Sequence, residues 1–184
     1  DGQILGFVGR RNPTRTDDEQ AGPKYLNTPE TLLFHKRAQL YVVGREHLDH
    51  GATPVLVEGP MDAIAITTAT AGRYVGVAPL GTSLSSEQTG QLRLFGAEVI
   101  IATDADAAGQ TAARKDFWTF AAQLVSTRAA VLPGGADPAQ LLAAGHAERL
   151  VESLAEARSL ASILVAENVS RPGDDDAVAV ALTV

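Results

Sequence analysis

Apolar residues fall into two rhythms along this chain. From residue 53 onward, short continuous apolar runs alternate with longer stretches whose apolar residues recur every three or four positions. The first rhythm is that of strands covered on both faces, and the second is that of helices. Their alternation predicts an α/β protein with a parallel sheet flanked by helices. Val55-Leu56-Val57 reads as a buried strand and Gly59-Pro60 as a sharp turn, and the following helix runs to about Ala71, ahead of Gly72. Tyr74 to Ala78 is the next strand, with turn chemistry in Pro79-Leu80-Gly81-Thr82. Ser85 caps a helix from Ser86 to about Phe95, Gln88 completes a capping box, and Gly96 stops the helix. Glu98 to Thr103 is a further buried strand. A long helix from about Ala107 to Leu124 buries a face made of Phe117, Trp118 and Phe120. Arg128 to Leu132 is the fourth strand, with a loop over 133–138 at its carboxyl end. Residues 141–168 are rich in Ala and Leu and read as helix, broken near Gly145.

Upstream of residue 53 the pattern is weaker. Residues 1–11 predict a turn and a strand, and 12–23 a polar loop. Residues 24–31 predict an irregular segment that lays Lys24 and Asn27 along a surface with Tyr25 between them. Phe34-His35-Lys36-Arg37 leads into a short element ending near Val43. Taken alone, this basic stretch is a solvated surface. The tail from Arg171 reads as a linker. The expected organisation is a basic α+β subdomain ending at 1–50, a sheet domain over 51–138, a helical segment over 139–170 and a tail over 171–184.

Composition narrows the classes. A length of 184 residues fits one domain, or one domain with an appendage. No apolar run reaches the roughly 20 residues of a membrane span. The absence of cysteine excludes disulfides and Cys-type zinc sites, and a cytoplasmic location is the natural expectation. The start, Asp1-Gly2-Gln3-Ile4, reads as the edge of a piece cut from a longer protein. The net charge of −7 hides a gradient. Residues 1–50 carry seven Lys/Arg against seven Asp/Glu, and residues 136–184 carry three against eight. A polyanion would therefore meet the N-terminal part, with metal ions wherever it approaches the carboxylates. His35, His47, His50 and His146 lack zinc-ligand spacing, and there is no Walker loop, dinucleotide fingerprint or Ser/His/Asp order.

The carboxylates carry the chemistry. Glu58 stands at the carboxyl end of one predicted strand, with Asp62 in the first turn of the next helix. Asp104 and Asp106 follow another strand directly. Ligands of open α/β sheets bind outside the carboxyl ends of strands, so Glu58, Asp104 and Asp106 are expected in one crevice. With Asp62 and Asp137 nearby, this is an oxygen-rich site for Mg²⁺ or Mn²⁺, able to clamp the oxygens of a phosphoryl transfer. The alternative is that Asp104 and Asp106 only cap the helix after them.

Glu58-Gly59-Pro60-Met61-Asp62-Ala63 and Thr103-Asp104-Ala105-Asp106-Ala107-Ala108-Gly109 resemble the two signatures of the topoisomerase–primase (Toprim) domain. Gly6-Phe7-Val8-Gly9-Arg10, Pro23-Lys24-Tyr25-Leu26-Asn27-Thr28-Pro29-Glu30-Thr31 and Phe34-His35-Lys36 resemble the segment preceding that domain in bacterial-type DNA primases. Pro79 to Leu84 and Leu132 to Pro138 resemble that family too, and the likeness covers roughly residues 2–165. It implies a nucleotidyltransferase that makes short RNA primers on single-stranded DNA during replication, using NTPs and one to three Mg²⁺ or Mn²⁺ ions. By that resemblance Asp104 and Asp106 bind the ions, and Asp62 and Asp137 complete the cluster. Glu58 is either a ligand or the base for the primer 3′-hydroxyl. Arg10, Lys24, Tyr25, Asn27 and Lys36 match positions that hold template or triphosphate. The implied partners are the single-stranded template, the RNA–DNA primer duplex and, through regions outside this chain, a replicative helicase. Three positions depart from the family pattern: Pro60 replaces a usual aromatic, and Gly134 and Ala139 stand where acidic residues are usual, which thins the third corner of the metal site to Asp137. A Toprim nuclease and a non-catalytic metal-dependent nucleic-acid binding module are the rival readings.

Overall fold

The computed structural model describes residues 4–12, 22–81, 84–102 and 116–169. Two sheets are present among them. The first is a two-stranded antiparallel ribbon of β1 (Val8–Arg10) and β2 (Tyr25–Asn27), which pairs Val8 with Asn27 and Arg10 with Tyr25. The irregular segment expected at 24–31 is thus in part a strand. Three residues are too few for alternation to show, and the partner strand is distant in sequence.

The second sheet holds six strands: β3 (Leu40–Val42), β4 (Thr53–Leu56), β5 (Tyr74–Pro79), β6 (Glu98–Ile101), β7 (Ser126–Ala129) and β8 (Arg158–Ser159). Their spatial order is β3-β5-β4-β6-β7-β8. The four central strands are parallel, and β3 and β8 are antiparallel edges. The all-parallel expectation holds for the centre only. β7 begins two residues before Arg128, because its register sets Glu98 opposite Ser126.

Helices cover both faces. Here α1 is Arg45–Asp49, α2 Pro60–Ala69, α3 Ser86–Phe95, α4 Pro138–Ala143, α5 Ala147–Ala155 and α6 Leu160–Val169. The long helix expected up to Leu124 is helical at 116–121. Val125 N–H donates to the Phe120 carbonyl and Leu124 N–H to that of Ala121, with Leu124 left-handed at φ 58°, so the helix closes early. The helical stretch expected at 141–168 is broken twice, at Gly145 and again at the β8 edge. One core layer packs Ala63, Ile66, Leu141, Leu150 and Leu154 under the sheet, and the other packs Leu92, Phe117, Phe120 and Leu160 above it. Trp118, expected in that core, is 55% exposed. Residues 117 and 120 share a helix face, whereas 118 lies about 100° around from 117.

Contacts made without side-chain bulk hold α2 to the sheet. A Cβ on Gly76 would lie 2.2 Å from the Ala63 carbonyl oxygen, so only glycine lets the helix settle there. Thr67 Oγ1 donates to the Val43 carbonyl and accepts from Gly76 N–H, tying helix, edge and centre together. No helix among the described residues is long and apolar enough to cross a membrane.

Candidate active site at the strand switch point

From β4 the chain crosses to β5 on one side, then returns past β4 to β6 on the other. The reversal opens a crevice beyond the carboxyl ends of these strands, where open α/β sheets bind their ligands. Glu58 stands there, two residues past β4 and solvent-exposed. The neighbouring strand is in register: Leu56 pairs with Ile101, and Ala102 N–H donates to the Leu56 carbonyl at 2.9 Å. Two residues beyond Ala102 in sequence comes Asp104. Asp104 and Asp106 lie outside the described residues.

The other two acids are held by backbone. Asp62 is buried in the first turn of α2, and its Oδ1 accepts from Ala139 N–H at 3.3 Å, joining α2 to the start of α4. Asp137 caps α4: its Oδ1 accepts from Gln140 N–H at 2.6 Å, and Gln140 Oε1 accepts from Asp137 N–H at 3.3 Å. No group of three or more His, Asp or Glu side chains converges among the described residues. Every acid of the expected set presents hard oxygen donors, which fits a divalent cation such as Mg²⁺ or Mn²⁺.

The ribbon closes one side of the crevice. Val8, Tyr25 and Asn27 of the ribbon line a cleft of about 220 Å³ together with Glu58, Pro60, Pro79, Leu80 and Gly81. Strand alternation explains this, since Tyr25 and Asn27 turn towards the sheet domain and Leu26 faces out, 68% exposed. Asn27 Nδ2 donates to the Leu80 carbonyl at 2.9 Å, while its buried Oδ1 has no partner among the described residues. Lys24 and Arg10 are exposed beside this face, with Lys24 Nζ 5.9 Å from the centre of the Tyr25 ring. Lys36 opens a 3-10 turn (Lys36–Ala38) docked on the start of α3. There, buried Gln88 donates to the Lys36 and Gln39 carbonyls, and Ser85 Oγ donates to that of Arg37. Of the five expected binding residues, the described cleft contains Tyr25 and Asn27. The sequence did not announce the Leu80 carbonyl or the packing of Tyr25 on Gly59, because both are contacts between segments far apart in the chain.

Two family models match. "Toprim-like" covers residues 55–142, and "DNA primase catalytic core, N-terminal domain" covers residues 1–46. The DNA primase of Campylobacter jejuni is 31% identical over 169 residues, which is 91% of this chain and 27% of that protein. The chain belongs to the bacterial-type DNA primase family. A solved DnaG catalytic core superposes with a TM-score of 0.77 at 30% identity, covering 99% of this chain and 59% of that one. A DnaG primase catalytic domain bound to single-stranded DNA superposes with a TM-score of 0.73 at 33% identity, covering 90% and 51%. This primase-family chain spans about a quarter of the length of the curated relatives it matches. The α/β sheet flanked by helices is the Toprim fold, and the ribbon at 8–27 belongs to the region matched by the N-terminal catalytic-core model.

Proposed function

We propose that this chain carries the nucleotidyl-transfer centre of a DNA primase, making short RNA primers from NTPs on a single-stranded DNA template. The observation that carries this reading is Glu58 at the strand switch point, with the ribbon residues Tyr25 and Asn27 across the same cleft. In the reaction the primer 3′-oxygen bonds to the α-phosphorus of the incoming NTP, the α–β phosphate bond breaks, and pyrophosphate leaves. Glu58 is solvent-accessible at the strand end, placed to take the 3′-hydroxyl proton or to ligate a cation. Asp104 and Asp106 would hold Mg²⁺ or Mn²⁺ with Glu58, while Asp62 and Asp137 complete the acidic rim. Such a cation neutralises the phosphate charge that the carboxylates would otherwise repel. Arg10, Lys24 and Lys36 present cations for the template or triphosphate backbone, and Asn27 is a hydrogen-bonding neighbour. The single-stranded template and the primer duplex are the proposed partners, with a replicative helicase meeting the longer protein.

The test supplies single-stranded DNA with a preformed RNA primer, labelled NTPs, and Mg²⁺ or Mn²⁺. Metal-dependent elongation of the primer is the expected result. Strand cleavage without NTPs would replace this reading with a nuclease. DNA binding with no chemistry under either metal would replace it with a binding module.

A further inference from the structure

A tyrosine between basic residues in a nucleic-acid enzyme is ordinarily read as a platform on which a base stacks. The packing here gives Tyr25 another task. We infer that Tyr25 is a positioning residue: its ring sets the Glu58–Gly59 turn and thereby the place of the Glu58 carboxylate. The inference rests on the reading of Glu58 as part of the reaction centre.

Gly59 directly follows Glu58 and leads into α2. The Gly59 backbone lies at φ −148°, ψ 166°, an extended conformation open to any residue. What a side chain at this position would meet is the Tyr25 ring. A Cβ there would stand 3.0 Å from both Cε2 and the hydroxyl oxygen of Tyr25, and 3.2 Å from Cζ. The aromatic ring therefore rests directly on the peptide that follows Glu58. Gly59 is also the cap of α2, and its carbonyl accepts from Ala63 N–H at 3.1 Å. The turn is thus fixed to the helix below and pressed by the ring above. Tyr25 is held in turn by its strand partner Arg10 and by Asn27, whose Nδ2 grips the Leu80 carbonyl two residues along the ribbon. Tyr25 and Glu58 line the same cleft. Misplacing a reacting group by about 1 Å can slow a reaction by about a hundredfold, so a ring in contact with this turn is well placed to control the rate.

The test is a double-mutant cycle in the full chain: wild type, Tyr25→Ala, Gly59→Ala and the pair, with Tyr25→Phe as the conservative control. Each is read for single-nucleotide primer extension, for primer–template affinity, and for thermal unfolding. A positioning role predicts that Tyr25→Ala lowers kcat roughly 10- to 100-fold and leaves template affinity within about threefold. Tyr25→Phe keeps the ring and stays near wild type. Gly59→Ala has a different effect alone than in the Tyr25→Ala background, where the atoms it meets are gone. A stacking role predicts the reverse: affinity falls about tenfold or more with Tyr25→Ala, and the two substitutions act independently. That result overturns the inference. The unfolding temperatures report the same coupling without any activity, so independent effects on unfolding also overturn it. A wild type that extends no primer refutes the primase reading, while the unfolding cycle still decides the contact.

Discussion

At the scale of single residues, two buried polar atoms stand without partners among the described side chains: Asn27 Oδ1 and Thr127 Oγ1. Their settings differ. Asn27 lies on the cleft wall and keeps its amide nitrogen on the Leu80 carbonyl. Thr127 lies inside β7, 5% exposed and next to the layer that contains Ala129 and Leu160. A buried hydroxyl with no partner loses its hydration for nothing, a penalty of roughly 1–3 kcal/mol. Thr127→Val keeps the branched shape and removes that hydroxyl. The expected outcome is unchanged or higher stability, by up to about 1 kcal/mol, in a urea melt with an unchanged m-value. A loss above about 1 kcal/mol would mean that the hydroxyl has a partner.

Among the elements, those whose signals are local were legible from sequence. Ser85 and Gln88 are three residues apart, and their reciprocal cap forms as expected, with Ser85 Oγ accepting from Gln88 N–H at 3.1 Å and Gln88 Oε1 accepting from Ser85 N–H at 3.0 Å. Pro60 at the start of α2 and the apolar run that ends β4 were equally plain. What stayed hidden depends on distant partners or on an unusual residue. β2 forms only because β1 lies alongside it, and the two-residue β8 exists only as an edge for β7. The stop after residue 121 uses Leu124 in a left-handed conformation where glycine is usual, so the sequence carried no stop signal. The site shows the same division. Glu58 at a strand end was legible from its neighbours, whereas the cleft that pairs it with Asn27 needed the ribbon's docking. The clearest element-scale test is Gly76→Ala. With the Ala63 carbonyl 2.2 Å from the new methyl, α2 must lift from β5. The expected loss is at least about 3 kcal/mol in chemical denaturation. A near-neutral result would contradict the packing of α2.

Over the whole molecule, two bodies of unequal strength meet at the Glu58 cleft. The six-stranded sheet is covered on both faces and carries Glu58 just past the end of β4. The ribbon is a two-stranded unit of a kind marginal by itself, and its outward face leaves Phe7 72% and Leu26 68% exposed. It keeps its place through Asn27 on Leu80 and Tyr25 on Gly59. The cations Arg10 and Lys24 are thereby brought beside the cleft that Glu58 lines. The sign of the sequence's charge gradient, balanced at the N-terminus and acidic downstream, matches this arrangement.

The central claim is that Glu58 belongs to a nucleotidyl-transfer centre built at the switch between β4 and β6. Its most direct test is the single-turnover rate at which one labelled ribonucleotide joins a preformed RNA primer on single-stranded DNA in Mg²⁺, compared between wild type and Glu58→Gln. The expected result is that the substitution slows incorporation by about 10²-fold or more while primer–template affinity stays within about threefold. A Glu58→Gln protein that incorporates the nucleotide at the wild-type rate would contradict it.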